Sequence, residues 1–87
     1  MLNITNVNIR KVDFPPRVRA IATMEIDNCF VVNDIQIVDG LNGLFVMMPN
    51  KRTVNADYKD IAHPINKETR ELIQATILKK YEELRRR

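Results

Sequence analysis

Five consecutive apolar residues, Leu44-Phe-Val-Met-Met48, stand between a glycine-rich turn and Pro49. The turn, Asp39-Gly-Leu-Asn-Gly43, holds an Asp-Gly and an Asn-Gly dipeptide, both of which favour chain reversal. The run therefore reads as a strand returning alongside Phe30–Val38. It has no polar face, and a strand apolar on both sides must be covered on both. A single helix covers one face. A second copy of the chain is the most economical cover for the other, which marks Leu44, Phe45, Val46 and Met47 as a candidate dimer interface.

Length sharpens that expectation. Eighty-seven residues make one domain at most, and a chain this short buries only about 60–65% of its unfolded surface. One sheet with one helix leaves little to cover a second face, so an oligomer is expected.

Strand signals lead up to the central stretch. Residues 4–12 are rich in β-branched side chains, with an irregularity expected near Asn6 or Lys11. Asp13-Phe-Pro-Pro-Arg17 breaks the strand, because consecutive prolines cannot donate to a ladder. Residues 18–27 then alternate cleanly: Val18, Ala20, Ala22, Met24 and Ile26 on one face, Arg19, Thr23, Glu25 and Asp27 on the other, with Ile21 the exception. Asp27-Asn28 suits a tight turn, since both residues tolerate left-handed backbone. In the next strand Asn33-Asp34 interrupts the apolar series, which points to a bulge.

Beyond the stretch, Pro49–Ala56 reads as a polar loop and Asp57–Ala62 as a short, charged edge strand ended by His63-Pro64. Asn66 is a good N-cap for a helix from Lys67 to Tyr81 or beyond. On that helix Ile73, Ile77 and Leu84 share a face, with Tyr81 at its border and Leu72 and Leu78 on opposite flanks. Glu82→Arg86 and Glu83→Arg87 have the acid-first order that could extend it. The fold class is α+β: a small antiparallel sheet of about five strands and one C-terminal helix, a single domain over residues 1–87, dimerising through the sheet.

Several chemistries are excluded by inventory. There is no serine, one histidine and one cysteine, so a serine triad is ruled out and Cys29 with His63 is the one conceivable thiol–imidazole pair, with nothing to bring them together. A structural zinc site needs about four Cys/His ligands. The aspartates lack EF-hand spacing, and Gly40 and Gly43 belong to no phosphate-binding motif. No enzyme activity, metal, cofactor or small-molecule substrate is expected. With one cysteine, no signal-peptide pattern and no apolar run near about 20 residues, a cytoplasmic protein without membrane contact is the default.

Charge placement leaves a binding function open. Residues 1–66 hold seven basic and seven acidic residues, whereas 67–87 hold seven basic and four acidic, so the net +3 lies in the C-terminal segment. Helix C-terminal cations also complement the helix dipole, so charge does not decide the matter. Candidate nucleic-acid contacts are Lys51 and Arg52 after the apolar strand, Arg17 and Arg19 beside the proline loop, and Lys79, Lys80, Arg85, Arg86 and Arg87 at the helix end. These helix cations spread around the wheel and form no clean recognition stripe. A protein partner or a structural role fits the same pattern.

Particular residues carry more. Phe30–Arg52, then Asp60-Ile-Ala-His-Pro-Ile-Asn66, and the earlier Arg17-Val-Arg-Ala-Ile-Ala22, closely resemble the stage V sporulation protein G (SpoVG) family of septation proteins over nearly the whole chain. The resemblance implies a small bacterial cytoplasmic regulator, an antiparallel sheet with a C-terminal helix that self-associates through the sheet. Members of that family are linked to sporulation and to negative control of asymmetric septation. Several bind DNA site-specifically and some bind RNA, with contacts that map here onto Lys51, Arg52 and Arg70. This sequence departs from the commoner pattern at Asn28-Cys29, at Asn33 where histidine is frequent, and at Lys67-Glu68 at the helix start. Glu68 would repel a phosphate at that helix N-terminus.

Overall fold

The computed structural model describes residues 2–13 and 15–85. Strands β1 (Ile4–Lys11), β2 (Val18–Ile26), β3 (Phe30–Gly40) and β4 (Gly43–Met47) form an antiparallel meander in the order β1-β2-β3-β4. Strands β5 (Asn50–Arg52) and β6 (Tyr58–Asp60) pair, among the described residues, only with each other, and helix α1 (Lys67–Arg85) closes the described chain. The expected α+β class holds, with six strands in two sheets. Arg86 and Arg87, and with them the pairs Glu82→Arg86 and Glu83→Arg87, lie outside the described residues.

Local chemistry sets the turns. Asp27 and Asn28 both have positive φ, 51° and 57°, and Cys29 N–H donates to Ile26 O at 3.0 Å, as a tight hairpin turn of these residues requires. Thr5 braces that turn. Its hydroxyl donates to Glu25 Oε2 at 2.9 Å and accepts from Asn28 N–H at 3.0 Å, and it sits where the β1–β2 register slips between Ile4 and Asn6. At the other end of the sheet, Gly43 takes φ 115°, while Gly40 is needed for space: a Cβ there would come within 2.7 Å of the Phe45 ring.

The bulge expected at Asn33-Asp34 is present, with Asp34 at φ 61°. Ala22 pairs with Ile35 but Met24 pairs with Val32, so β3 carries an extra residue. Its effect is on facing. Val32, Ile35 and Ile37 all reach the core side although 32 and 35 are three apart in sequence.

Val18 corrects the alternation read from sequence. A second register slip falls between Val18 and Ala20, so Ala20 pairs with core-facing Ile37 and Val18 with the next residue, Val38. Successive strand residues point to opposite faces. Val18 and Val38 are therefore a buried pair on the outer side, separate from the main core. The extra residue, Arg19, is freed to bond Asp39 at 2.8 Å.

The core lies between the inner sheet face and α1. It joins Val7, Ala20, Ala22, Met24, Ile35 and Ile37 to Ile73, Ile77 and Tyr81 of the helix. The helical stripe runs in steps of four, and Tyr81 rather than Leu84 completes it; Leu84 is only half-buried. Asn66 caps the helix as expected, its Oδ1 accepting from Thr69 N–H at 2.8 Å. Arg85 lies 5.8 Å from the Tyr81 ring centroid, a cation–π contact at the far end.

Pro49–Ala56 is not simply a loop. Asn50, Lys51 and Arg52 pair with Asp60, Lys59 and Tyr58 to make a small ribbon, and β6 joins this ribbon rather than the edge of the main sheet. Buried Pro49 anchors its base, accepting from Ile61 N–H at 2.7 Å. At the tip, Thr53 N–H donates to Asp57 O at 2.7 Å, and Ala56 takes φ 66°.

Two changes test this packing. Ile77→Ala removes a fully buried side chain at the centre of the helix contact and should cost about 2–5 kcal/mol in denaturant unfolding. Gly40→Ala should cost about 1–3 kcal/mol by overpacking against Phe45, and Phe45→Leu in the same chain should recover part of that loss.

Candidate nucleic-acid interface

The β5–β6 ribbon carries three cations, Lys51, Arg52 and Lys59. Lys51 and Lys59 are direct cross-strand partners and both are exposed. Like charges placed opposite each other on a ribbon destabilise it by a fraction of a kcal/mol to about 1 kcal/mol. None of Lys51, Arg52 and Lys59 forms an ion pair among the described residues. The two lysines thus stand side by side on one face, neither in an ion pair.

Arg52 points the other way. Adjacent strand residues alternate faces, so Arg52 shares the opposite ribbon face with its partner Tyr58 and with the Asn50–Asp60 pair. Lys51-Arg52, contiguous in sequence, serves two surfaces. Tyr58 is 70% exposed, leaving an aromatic ring free beside a guanidinium-bearing residue.

Arg70 is positioned by the first turns of α1. It lines a groove of about 230 Å³ with Asp60 and His63 from the segment around β6, residues 46–48, and Ile73 and Gln74 of the helix. This places Arg70 at the foot of the ribbon, next to the strand that carries Lys59. Lys79 and Lys80 lie elsewhere: with Thr76 and Glu83 they line a separate depression over Ile4–Val7 of β1. The structure thus sets Arg70 beside Asp60 at the foot of the ribbon, puts Lys51 and Arg52 on opposite ribbon faces, and leaves Lys79 and Lys80 near the other sheet edge.

The remaining cations divide by pairing. Arg19 is bound to Asp39, and this hydrogen bond first, with the carboxylate charge second, raises its pKa above the ordinary arginine value. Arg85 is paired with Glu82 at 3.1 Å. Arg17 is exposed in the proline loop, where its carbonyl accepts from Asp39 N–H at 2.8 Å.

The residues proposed as a dimer interface split across the two faces of β4. Leu44 and Val46 pack onto the core under the helix. Phe45 and Met47 pair with Val38 and Gln36 on the outer side, and Phe45 remains 38% exposed. Strand β4 is also a sheet edge, bonded only to β3 among the described residues.

Lys59 is the residue that sequence reading passed over. Its strand was recognised, but the pairing of Asn50–Arg52 was not, and only that pairing sets it against Lys51. Placing the turn at Thr53–Asp57 would have revealed it.

The described residues form an α+β module with a β-ribbon that carries Lys51, Arg52 and Lys59 and a main sheet that ends at β4. No helix among the described residues is long and apolar enough to cross a membrane. Comparison with known proteins sets the family: the SpoVG family model matches residues 2–83, and the chain belongs to that family. It is 49% identical over 81 residues to "Putative septation protein SpoVG" of Caldicellulosiruptor bescii, covering 93% of this chain and 92% of that protein. It is 49% identical over 84 residues to the protein of that name from Clostridium perfringens, covering 97% and 93%. To "Putative septation protein SpoVG 2" of Listeria monocytogenes it is 51% identical over 81 residues, covering 93% and 79%.

The lysine pair makes a signed prediction. Lys59→Glu replaces cross-strand repulsion with attraction and should stabilise the ribbon by about 0.2–1 kcal/mol. Slower amide exchange at the β5–β6 hydrogen bonds is the expected outcome.

Proposed function

We propose that this chain is a cytoplasmic nucleic-acid-binding regulator, acting as a homodimer in the septation and sporulation programme after which its relatives are named. The observation that carries the reading is the Lys51–Lys59 pair. A ribbon that sets two exposed lysines opposite each other gives up stability in isolation. A phosphate between them turns that repulsion into two charge-assisted contacts. Arg52 adds a cation on the opposite ribbon face and Arg70 one at its foot, while Lys79 and Lys80 serve a phosphate path only at the other edge of the sheet. A two-stranded ribbon also has the dimensions to enter the major groove of duplex DNA.

Self-association is assigned to β4. Its free edge carries no charged side chain, and Phe45 and Met47 lie on the outer face beside the buried Val18–Val38 pair. The same face supports a second reading, a module that docks on the division machinery without touching nucleic acid. A folded dimer that retains a protein partner yet binds neither duplex nor single strand would favour that reading.

Electrostatic binding has a measurable signature. A dimer engaging about six to eight phosphates should show log K falling against log salt with a slope of roughly −5 to −7. Lys51→Ala with Arg52→Ala should flatten that slope without lowering the thermal unfolding midpoint. A binding curve insensitive to salt, or a double variant with parental affinity, would count against the ribbon as the contact surface.

A further inference from the structure

We infer that the groove at the foot of the ribbon is a pocket for one unpaired base, guanine best, of a single strand whose backbone runs on the ribbon. The inference rests on the nucleic-acid reading above and adds a ligand and a site to it.

Size comes first. At about 230 Å³ the groove is smaller than pockets that hold drug-sized molecules, so it suits one small ring system. Its floor is apolar: Val46, Met48 and Ile73 all belong to or pack against the core. Its rim is polar and of mixed sense. Arg70 supplies only donors, Asp60 only acceptors, and Gln74 both. His63 Nδ1 lies 3.1 Å from the carbonyl oxygen of Pro64. A carbonyl can only accept, so Nδ1 is the donor in that contact.

That combination discriminates among ligands. A phosphate would be repelled by Asp60 and would leave the acceptors unused. A base matches an apolar floor with a rim of both donors and acceptors. Guanine offers two adjacent N–H donors on its pairing edge, which a carboxylate can accept together, and a carbonyl oxygen for Arg70 or Gln74. That edge is engaged in a duplex, and the groove lies between a helix and a sheet edge, so the base must come from an unpaired strand.

The ribbon continues the path. Asp60 shares its ribbon face with Arg52 and Tyr58, and Tyr58 lies two residues along β6, about 6.6 Å away. Its exposed ring is a stacking platform for the neighbouring base, with Arg52 opposite it for a phosphate.

The test uses the full chain and short RNA strands: all-uridine, the same strand with one central guanosine, and that strand with inosine in its place. The guanosine strand should bind about tenfold tighter than all-uridine, and inosine, which lacks the exocyclic amine, should lose most of that gain. Asp60→Asn and Gln74→Ala, both at exposed positions, should remove the preference, read in each variant as the ratio of guanosine-strand to all-uridine affinity. The deoxy version of the guanosine strand should keep the preference, because no group is assigned to the 2′-hydroxyl. Equal affinity for guanosine and uridine strands, or a preference untouched by both variants, overturns the base pocket while the ribbon reading stands. Absence of binding to every strand and to duplex DNA overturns both.

Discussion

The fold depends on how closely a helix can approach a sheet. Ala20 and Ala22, both fully buried on β2, leave room beneath α1 for Ile77 and Tyr81. In a chain of this length a single layer of contacts must supply most of the apolar burial, at about 25 cal/mol per Å². Small residues on the central strand allow the larger ones on the helix and on β3 to interdigitate at interior density. Two register slips keep those larger residues on the right side: the bulge at Asn33-Asp34 returns Ile35 to the core, and the slip before Ala20 sends Val18 to the other face.

That arrangement leaves two features unused by the core. One is the outer side of β4, where Phe45 and Met47 lie beside a sheet edge that is bonded to no further strand among the described residues. The other is the β5–β6 ribbon, joined to the rest of the molecule chiefly at Pro49 and through the groove beside Arg70. Neither improves the stability of the isolated chain: an exposed phenylalanine remains in water, and two lysines face each other.

Much of this was legible beforehand wherever one residue's own chemistry decides the outcome. Asp27-Asn28, Asn33-Asp34, Gly43 and the Asn66 cap are places where the backbone needs a particular φ or a particular side-chain acceptor, and few residue types supply it. The family could be read from the Phe30–Arg52 block and the His-Pro-Ile-Asn segment. The candidate site was half legible: Lys51, Arg52 and Arg70 were named, whereas Lys59 was not, and Lys79 and Lys80 were grouped with residues that lie near the other edge. Asn-Lys-Arg is a poor strand by propensity, and nothing local marks it as paired.

By itself, then, the sequence determined the α+β class, the turns, the bulge, the helix and its cap, and membership of the SpoVG family. Only the tertiary structure decided that Lys51 and Arg52 face opposite ways, that Lys59 stands against Lys51, that Val18 leaves the main core, and that Asp60, His63, Arg70 and Gln74 border one groove. The physical reason is one of range. Positive φ and capping are properties of a residue and its neighbours, whereas register is a relation between distant segments, and a slip of one residue reverses every side chain that follows it.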